Sequence, residues 1–148
     1  MTDVPAVRTA YLVKRLELAV RAHLDAVVRP HGLTTAQYTA LTALRVAPEQ
    51  SSAQLARRSF VSAQTMQELV AGLERRGLVT RSPAPANRRV LRVRLTERGE
   101  DVLAELDRGM DELEREMLAD LDAAQVQALR DALRLCTRRL TAARSGER

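Results

Sequence analysis

Cysteine, histidine and aromatic side chains are almost missing from this chain of 148 residues: one Cys, two His, two Tyr, one Phe and no Trp. The lone Cys136 cannot close an internal disulfide, and two histidines with one cysteine are too few ligands for a structural zinc site. No apolar run approaches the ~18 uninterrupted residues that a membrane span requires. The first twenty residues are broken by Asp3, Arg8, Lys14, Arg15 and Glu17, which excludes the apolar core of a secretory signal, and the expectation is a cytoplasmic protein. No glycine-rich phosphate loop or dinucleotide fingerprint is present, and His23 and His31 have no serine or carboxylate in a triad pattern. Glu112, Glu114 and Glu116 read as the solvated face of a helix. An enzyme is not expected, and neither a cofactor nor a bound metal.

What is present is an ordinary globular composition, 45% hydrophobic and 29% charged. A chain of this length suits one domain and can bury roughly 70% of its unfolded surface. The net charge is +5, and Lys14 is the only lysine among 24 basic residues. Its distribution is uneven. Residues 75–98 hold eight basic groups and one acid, whereas residues 99–122 hold two basic groups and ten acids. A basic segment this concentrated is the footprint of a surface that meets phosphate, or else a solvated charged hairpin beside a solvated acidic helix.

Hydrophobic spacing sets out the elements. Val13, Leu16, Val20, Leu24 and Val27 recur at steps of three and four, one face of a long first helix that ends at Pro30-His31-Gly32. Thr34-Thr35-Ala36-Gln37 and Ser51-Ser52-Ala53-Gln54 are both capping boxes, predicting a second helix through Tyr38, Leu41 and Leu44 and a short third helix through Leu55 and Ala56. After a turn at Phe60-Val61, Ser62 caps a fourth helix with Met66, Leu69, Val70 and Leu73 inward and Gly77 at its end. The period then falls to two. Leu78–Ser82 and Val90–Leu95 read as strands, with the proline-rich stretch from Pro83 to Arg89 as the hairpin tip. Thr96 caps a helix striped by Leu103, Leu106, Met110, Leu113, Met117 and Leu121. A last helix from about Ala123 is striped by Val126, Leu129, Leu133, Cys136 and Leu140, which makes Cys136 a core or dimer-interface residue.

The order of three short helices followed by an arginine-bearing hairpin is that of a winged helix-turn-helix, in which the third of these helices enters the major groove and the hairpin is the wing. Inward packing of its apolar face leaves Gln64, Thr65 and Gln67 outward, with polar ends suited to base edges and phosphates. The runs SAQLARRSFVSAQTMQELVAGLERRGLVTR and NRRVLRVRLTERG resemble the multiple-antibiotic-resistance regulator (MarR) family, most specifically at Leu73-Glu74-Arg75-Arg76-Gly77-Leu78-Val79 with Arg81, and at Arg89 ahead of Leu95-Thr96 and Gly99. The likeness covers nearly the whole chain.

That resemblance implies a mostly α fold with a small two-stranded β wing: one MarR-like unit over 1–148, with the DNA-binding part at 34–99 and helical dimerisation parts at 6–29 and 100–144. It implies a sequence-specific, DNA-binding transcriptional regulator, a repressor that binds an inverted-repeat operator on double-stranded DNA as a homodimer. Residue by residue, Ser62, Gln64, Thr65 and Gln67 match DNA-facing recognition positions, and Arg88 and Arg89 match the wing tip. Arg57, Arg58, Arg75 and Arg76 would add attraction. It also implies release by a small aromatic or anionic effector. His23, Tyr38 and Arg45 are the candidate contacts, unless Tyr38 is simply core and Arg45 surface. Two positions depart from the family pattern. Asn87 stands where an aspartate is usual, so it can cap the wing turn but not pair ionically, and Glu68 places an acid on a recognition helix that has no basic residue between Ser62 and Glu74. The alternative reading is a winged-helix protein-interaction module without specific DNA binding.

Overall fold

A computed structural model describes residues 6–145, the side chain of Ser145 excepted. Six α-helices and three short strands follow in the order α1 (Thr9–Val28), α2 (Thr35–Val46), β1 (Gln50–Ser51), α3 (Ser52–Arg58), α4 (Ala63–Arg75), β2 (Val79–Pro83), β3 (Leu91–Leu95), α5 (Glu97–Met117) and α6 (Ala123–Ser145), with a 3-10 turn at Arg29–His31 after α1. No helix among the described residues is long and apolar enough to cross a membrane. The chain falls into two compact units, one up to Asp111 and one from Glu112.

Local chemistry explains where the helices of the first unit begin. Both capping boxes form: Thr34 Oγ1 accepts from Gln37 N at 3.1 Å while Gln37 Oε1 accepts from Thr34 N, and Ser51 and Gln54 do the same. Ser62 Oγ accepts from Thr65 N at 3.1 Å and opens α4. Gly77, at φ 72°, ends α4 in the left-handed region, with Leu78 N donating back to the Leu73 carbonyl. Between α3 and α4 the same left-handed step is taken by Phe60, at φ 54°, a conformation that costs a non-glycine residue roughly 1–2 kcal/mol.

The core lies where the inward faces of α2, α3 and α4 meet the sheet and α5. Leu41, Leu44, Leu55, Met66, Val70, Leu73, Leu78, Val93, Leu103 and Leu106 are all buried there. Residues Met66, Val70 and Leu73 of α4 are the inward positions expected from its spacing, while Leu69 is only partly buried.

The sheet departs from expectation. It has three strands in the order β1-β3-β2, all antiparallel, because Gln50 and Ser51 pair with Val93 and Arg92. Two residues are too few to show a period of two, so the sequence carried no sign of β1. Its place is fixed instead by the Gln50 side chain, which is buried and donates to the Ala43 and Ala47 carbonyls at the end of α2. Pro83, read as part of the hairpin tip, closes β2 opposite Leu91. It sits on an outer strand, where its missing N–H interrupts no second ladder.

In the second unit α6 follows the Asp122–Gln125 cap, in which each side chain accepts from the other's backbone N–H. Arg130 of α6 pairs with Glu114 at 2.8 Å. On the apolar stripe of α6, Leu133 and Leu140 are exposed, Leu140 by 67%, and so is Leu135 beside it. Cys136 is exposed as well, which removes the core half of its core-or-dimer-interface reading.

Candidate nucleic-acid interface

On α4, the side chains of Ser62, Gln64, Thr65, Gln67 and Glu68 are all exposed. Ser62 Oγ also donates to Thr65 Oγ1 at 2.8 Å, so the Thr65 hydroxyl keeps its own proton to offer outward. Arg57 in the last turn of α3 and Arg75 in the last turn of α4 are exposed, as are Arg88 and Arg89 between the wing strands. None of these four arginines, nor Arg58, has a carboxylate partner among the described residues. Uncommitted guanidiniums beside a helix of short polar side chains are suited to phosphate.

The other arginines of the basic segment are already engaged. Arg76 is half-buried and donates to the His31 and Gly32 carbonyls at 2.8 Å each, which caps the turn after α1. Arg92 and Arg94 of β3 both reach Glu49, at 3.6 and 3.2 Å. Arg81 of β2 pairs with Glu74 of α4 through two hydrogen bonds, Nη2 to Oε1 at 2.9 Å and Nε to Oε2 at 3.3 Å. The Arg81 hydrogen bond holds the Glu74 carboxyl below its ordinary pKa, and Glu74 in turn raises that of Arg81. The pair therefore stays charged at neutral pH and ties α4 to the wing.

At the wing tip Asn87 caps the turn by itself. Its Oδ1 accepts from Arg89 N at 3.1 Å and its backbone carbonyl accepts from Val90 N at 3.0 Å. An Asx-type turn of this kind supplies locally the order that an aspartate–arginine pair would otherwise give.

Each of the three effector candidates has surroundings of its own. His23 is exposed, with Nδ1 2.9 Å from the Ala19 carbonyl oxygen. Tyr38 packs against the core. Both terminal nitrogens of Arg45 bond Asp107 of α5, at 3.0–3.1 Å. A cavity of about 570 Å³ opens elsewhere in the first unit, between α1, α2 and the α3–α4 turn. Val20, Leu24, Val61 and Leu69 give it apolar walls, Phe60 gives it a ring, and Thr35, Thr39, Glu17 and Arg21 give it polar groups. Sequence reasoning missed this site because its walls come from four separated stretches of chain. The one local signal was Glu17 four residues before Arg21, the spacing of a helical ion pair. Among the described residues no group of three His, Cys, Asp or Glu could hold a metal.

Two helices joined by a tight turn, the second presenting polar side chains, and an arginine-tipped hairpin define a winged helix-turn-helix regulator. Comparison with known proteins agrees. The family model described as MarR family matches residues 31–90. An HTH-type transcriptional repressor of Mycobacterium tuberculosis, Rv2887, is 32% identical over 115 residues, 78% of this chain and 83% of the relative. The crystal structure of that MarR family protein in complex with salicylic acid has a TM-score of 0.72 at 29% identity, covering 89% of this chain and 98% of that one. A probable transcriptional regulator from Pseudomonas aeruginosa has a TM-score of 0.73 at 28% identity, covering 87% and 96%. The chain belongs to the MarR family of transcriptional regulators, and its relatives are regulators rather than enzymes.

Proposed function

We propose that this protein is a homodimeric repressor that binds an inverted-repeat operator through α4 and the wing, and leaves it when a small aromatic acid occupies the cavity beside the α3–α4 turn. The observation that carries the DNA-binding part is the set of exposed, uncommitted arginines, Arg57, Arg75, Arg88 and Arg89, around the polar outer face of α4. Ser62, Gln64, Thr65 and Gln67 are the side chains assigned to bases and nearby phosphates. Gel shift against the DNA upstream of the protein's own gene, at two salt concentrations, should give a complex that weakens steeply with salt. The exposed Glu68 favours the interaction-module reading, which requires no specific complex at either salt.

Dimerisation is supported by apolar side chains that a lone chain leaves in water: Tyr11, Leu12 and Leu18 on α1 and, separately, Leu135 and Leu140 on α6, each at least half exposed. Light scattering at micromolar concentration should report twice the chain mass, and a monomer would remove the inverted-repeat reading. The two half-sites are expected about one helical turn apart.

The effector part rests on the cavity, whose volume suits a small ligand. Arg21 is the one cation among the described residues that line it, and Arg21 is paired with Glu17, which also bonds Lys14 at 3.0 Å. The Lys14 and Arg21 hydrogen bonds hold the Glu17 carboxyl below its ordinary pKa, so it is ionised at neutral pH and competes with an incoming carboxylate for Arg21. The relative from Mycobacterium tuberculosis was crystallised with salicylic acid, a molecule of this class. Titration calorimetry with salicylate should show Glu17→Gln binding about two- to fivefold tighter than wild type, as expected for removing an exposed competing pair, and Arg21→Ala binding more weakly. Equal affinities in all three would place the acid elsewhere. A ligand here touches both α1 and the turn before α4, so it acts to the extent that it binds the released and DNA-bound conformations unequally.

A further inference from the structure

Gln67 and Glu74 lie seven residues apart on α4, two helical turns, and so share one stripe of its surface. Arg81 reaches across from β2 to both. Its Nε and Nη2 are taken by Glu74, and its Nη1 lies 3.4 Å from Gln67 Oε1. We propose that Arg81 is a positioning residue: it holds the Gln67 carboxamide by its oxygen and turns the NH2 group toward DNA, so that Gln67 selects a base edge rich in acceptors, guanine or thymine, at one position of each half-site. This rests on the DNA-binding reading above and deepens it.

The orientation follows from donor chemistry. A guanidinium has five donors and no acceptor, so the amide atom that faces Arg81 must be the oxygen. A free glutamine forks onto adenine, accepting from N6 and donating to N7. The Arg81 bond takes one of the two lone pairs of that oxygen and keeps it turned toward β2, away from an adenine N6, so Gln67 offers its two donors in place of the fork. Guanine presents two major-groove acceptors, N7 and O6, and thymine presents O4, whereas cytosine presents only its N4 donor. Among the described residues Gln64 and Thr65 bond no residue of the wing, Thr65 meeting only Ser62, so their preferences do not pass through Arg81.

The test is selection from a randomised DNA duplex pool by the purified full-length chain. Wild type should enrich guanine or thymine over cytosine at one column per half-site by about fivefold, the scale of a net hydrogen bond. Gln67→Ala should flatten that column. Arg81→Lys keeps a cation for Glu74 but frees the carboxamide, so the same column should move to adenine with the other columns unchanged. A role confined to stability would instead weaken every column alike, and that result, or an unchanged motif, overturns the proposal. Gln67→Glu is independent of how well the Arg81 variant folds: it keeps a partner for Arg81 and turns an acceptor outward, so the column should move to cytosine, and failure to do so also overturns it. A wild-type motif indifferent to Gln67→Ala refutes this inference alone. A wild type that enriches nothing refutes the DNA-binding reading, and this inference with it.

Discussion

Gly99→Ala is expected to lower the melting temperature by about 6–12 °C, the shift for roughly 3 kcal/mol in a chain of this size. Gly99 is buried in the first turn of α5, where its N–H donates to the Thr96 hydroxyl at 3.1 Å and Thr96 in turn donates to the Gly77 carbonyl. A methyl group there would overlap the Leu78 carbonyl oxygen and press on Leu95. The obstacle is backbone, and that backbone is fixed by the Thr96 N–H bond to the same carbonyl, so no rotamer change relieves it. Gly77→Ala is the control. An added methyl there meets open space but carries a left-handed φ, so its cost stays near 1–2 kcal/mol. Thermal unfolding followed by circular dichroism checks the order, and an equal loss in both variants would contradict the close packing of α5 on the start of β2.

Arg88→Ala with Arg89→Ala is expected to lower the slope of log K against log salt by about two per subunit, close to four in a dimer. By the same relation, affinity at 0.15 M salt falls roughly thirtyfold per subunit and roughly a thousandfold for the dimer. The loss should be the same on every sequence, because a wing-tip arginine that neutralises phosphate carries no base information. Gln64→Ala should do the opposite, leaving the slope alone and relaxing preference among bases. Anisotropy titrations over a salt series separate the two. A double variant with an unchanged slope would show that the hairpin does not meet DNA.

Elements whose chemistry is local were legible in the sequence. Thr34 with Gln37, Ser51 with Gln54, and Ser62 ahead of Met66 each state a helix start within four residues, and the structure forms all three caps. The alternation of Leu91, Val93 and Leu95 likewise stated a strand. What could not be read was the partner of each arginine, since that is set by residues far away in the chain. Arg76 meets carbonyls 44 and 45 residues before it, Arg45 meets Asp107 at a separation of 62, and Glu49 holds Arg92 and Arg94 from the loop after α2. Composition counted eight basic groups in residues 75–98 without dividing them into those that hold the wing together and those without a carboxylate partner. The Arg45 fork is a case of this: Asp107 offers it a carboxylate within the fold. The cavity escaped notice because Glu17 and Arg21, Thr35 and Thr39, and Phe60 become neighbours only after folding.

The most direct test of the central claim is a footprint of the full-length chain on the DNA upstream of its own gene, with and without salicylate. A ligand-released repressor should protect one stretch with two-fold symmetry, its half-sites about one helical turn apart, and salicylate should erase that protection at concentrations that saturate the cavity. An unprotected duplex at low salt, or protection that persists with the cavity filled, would contradict the account.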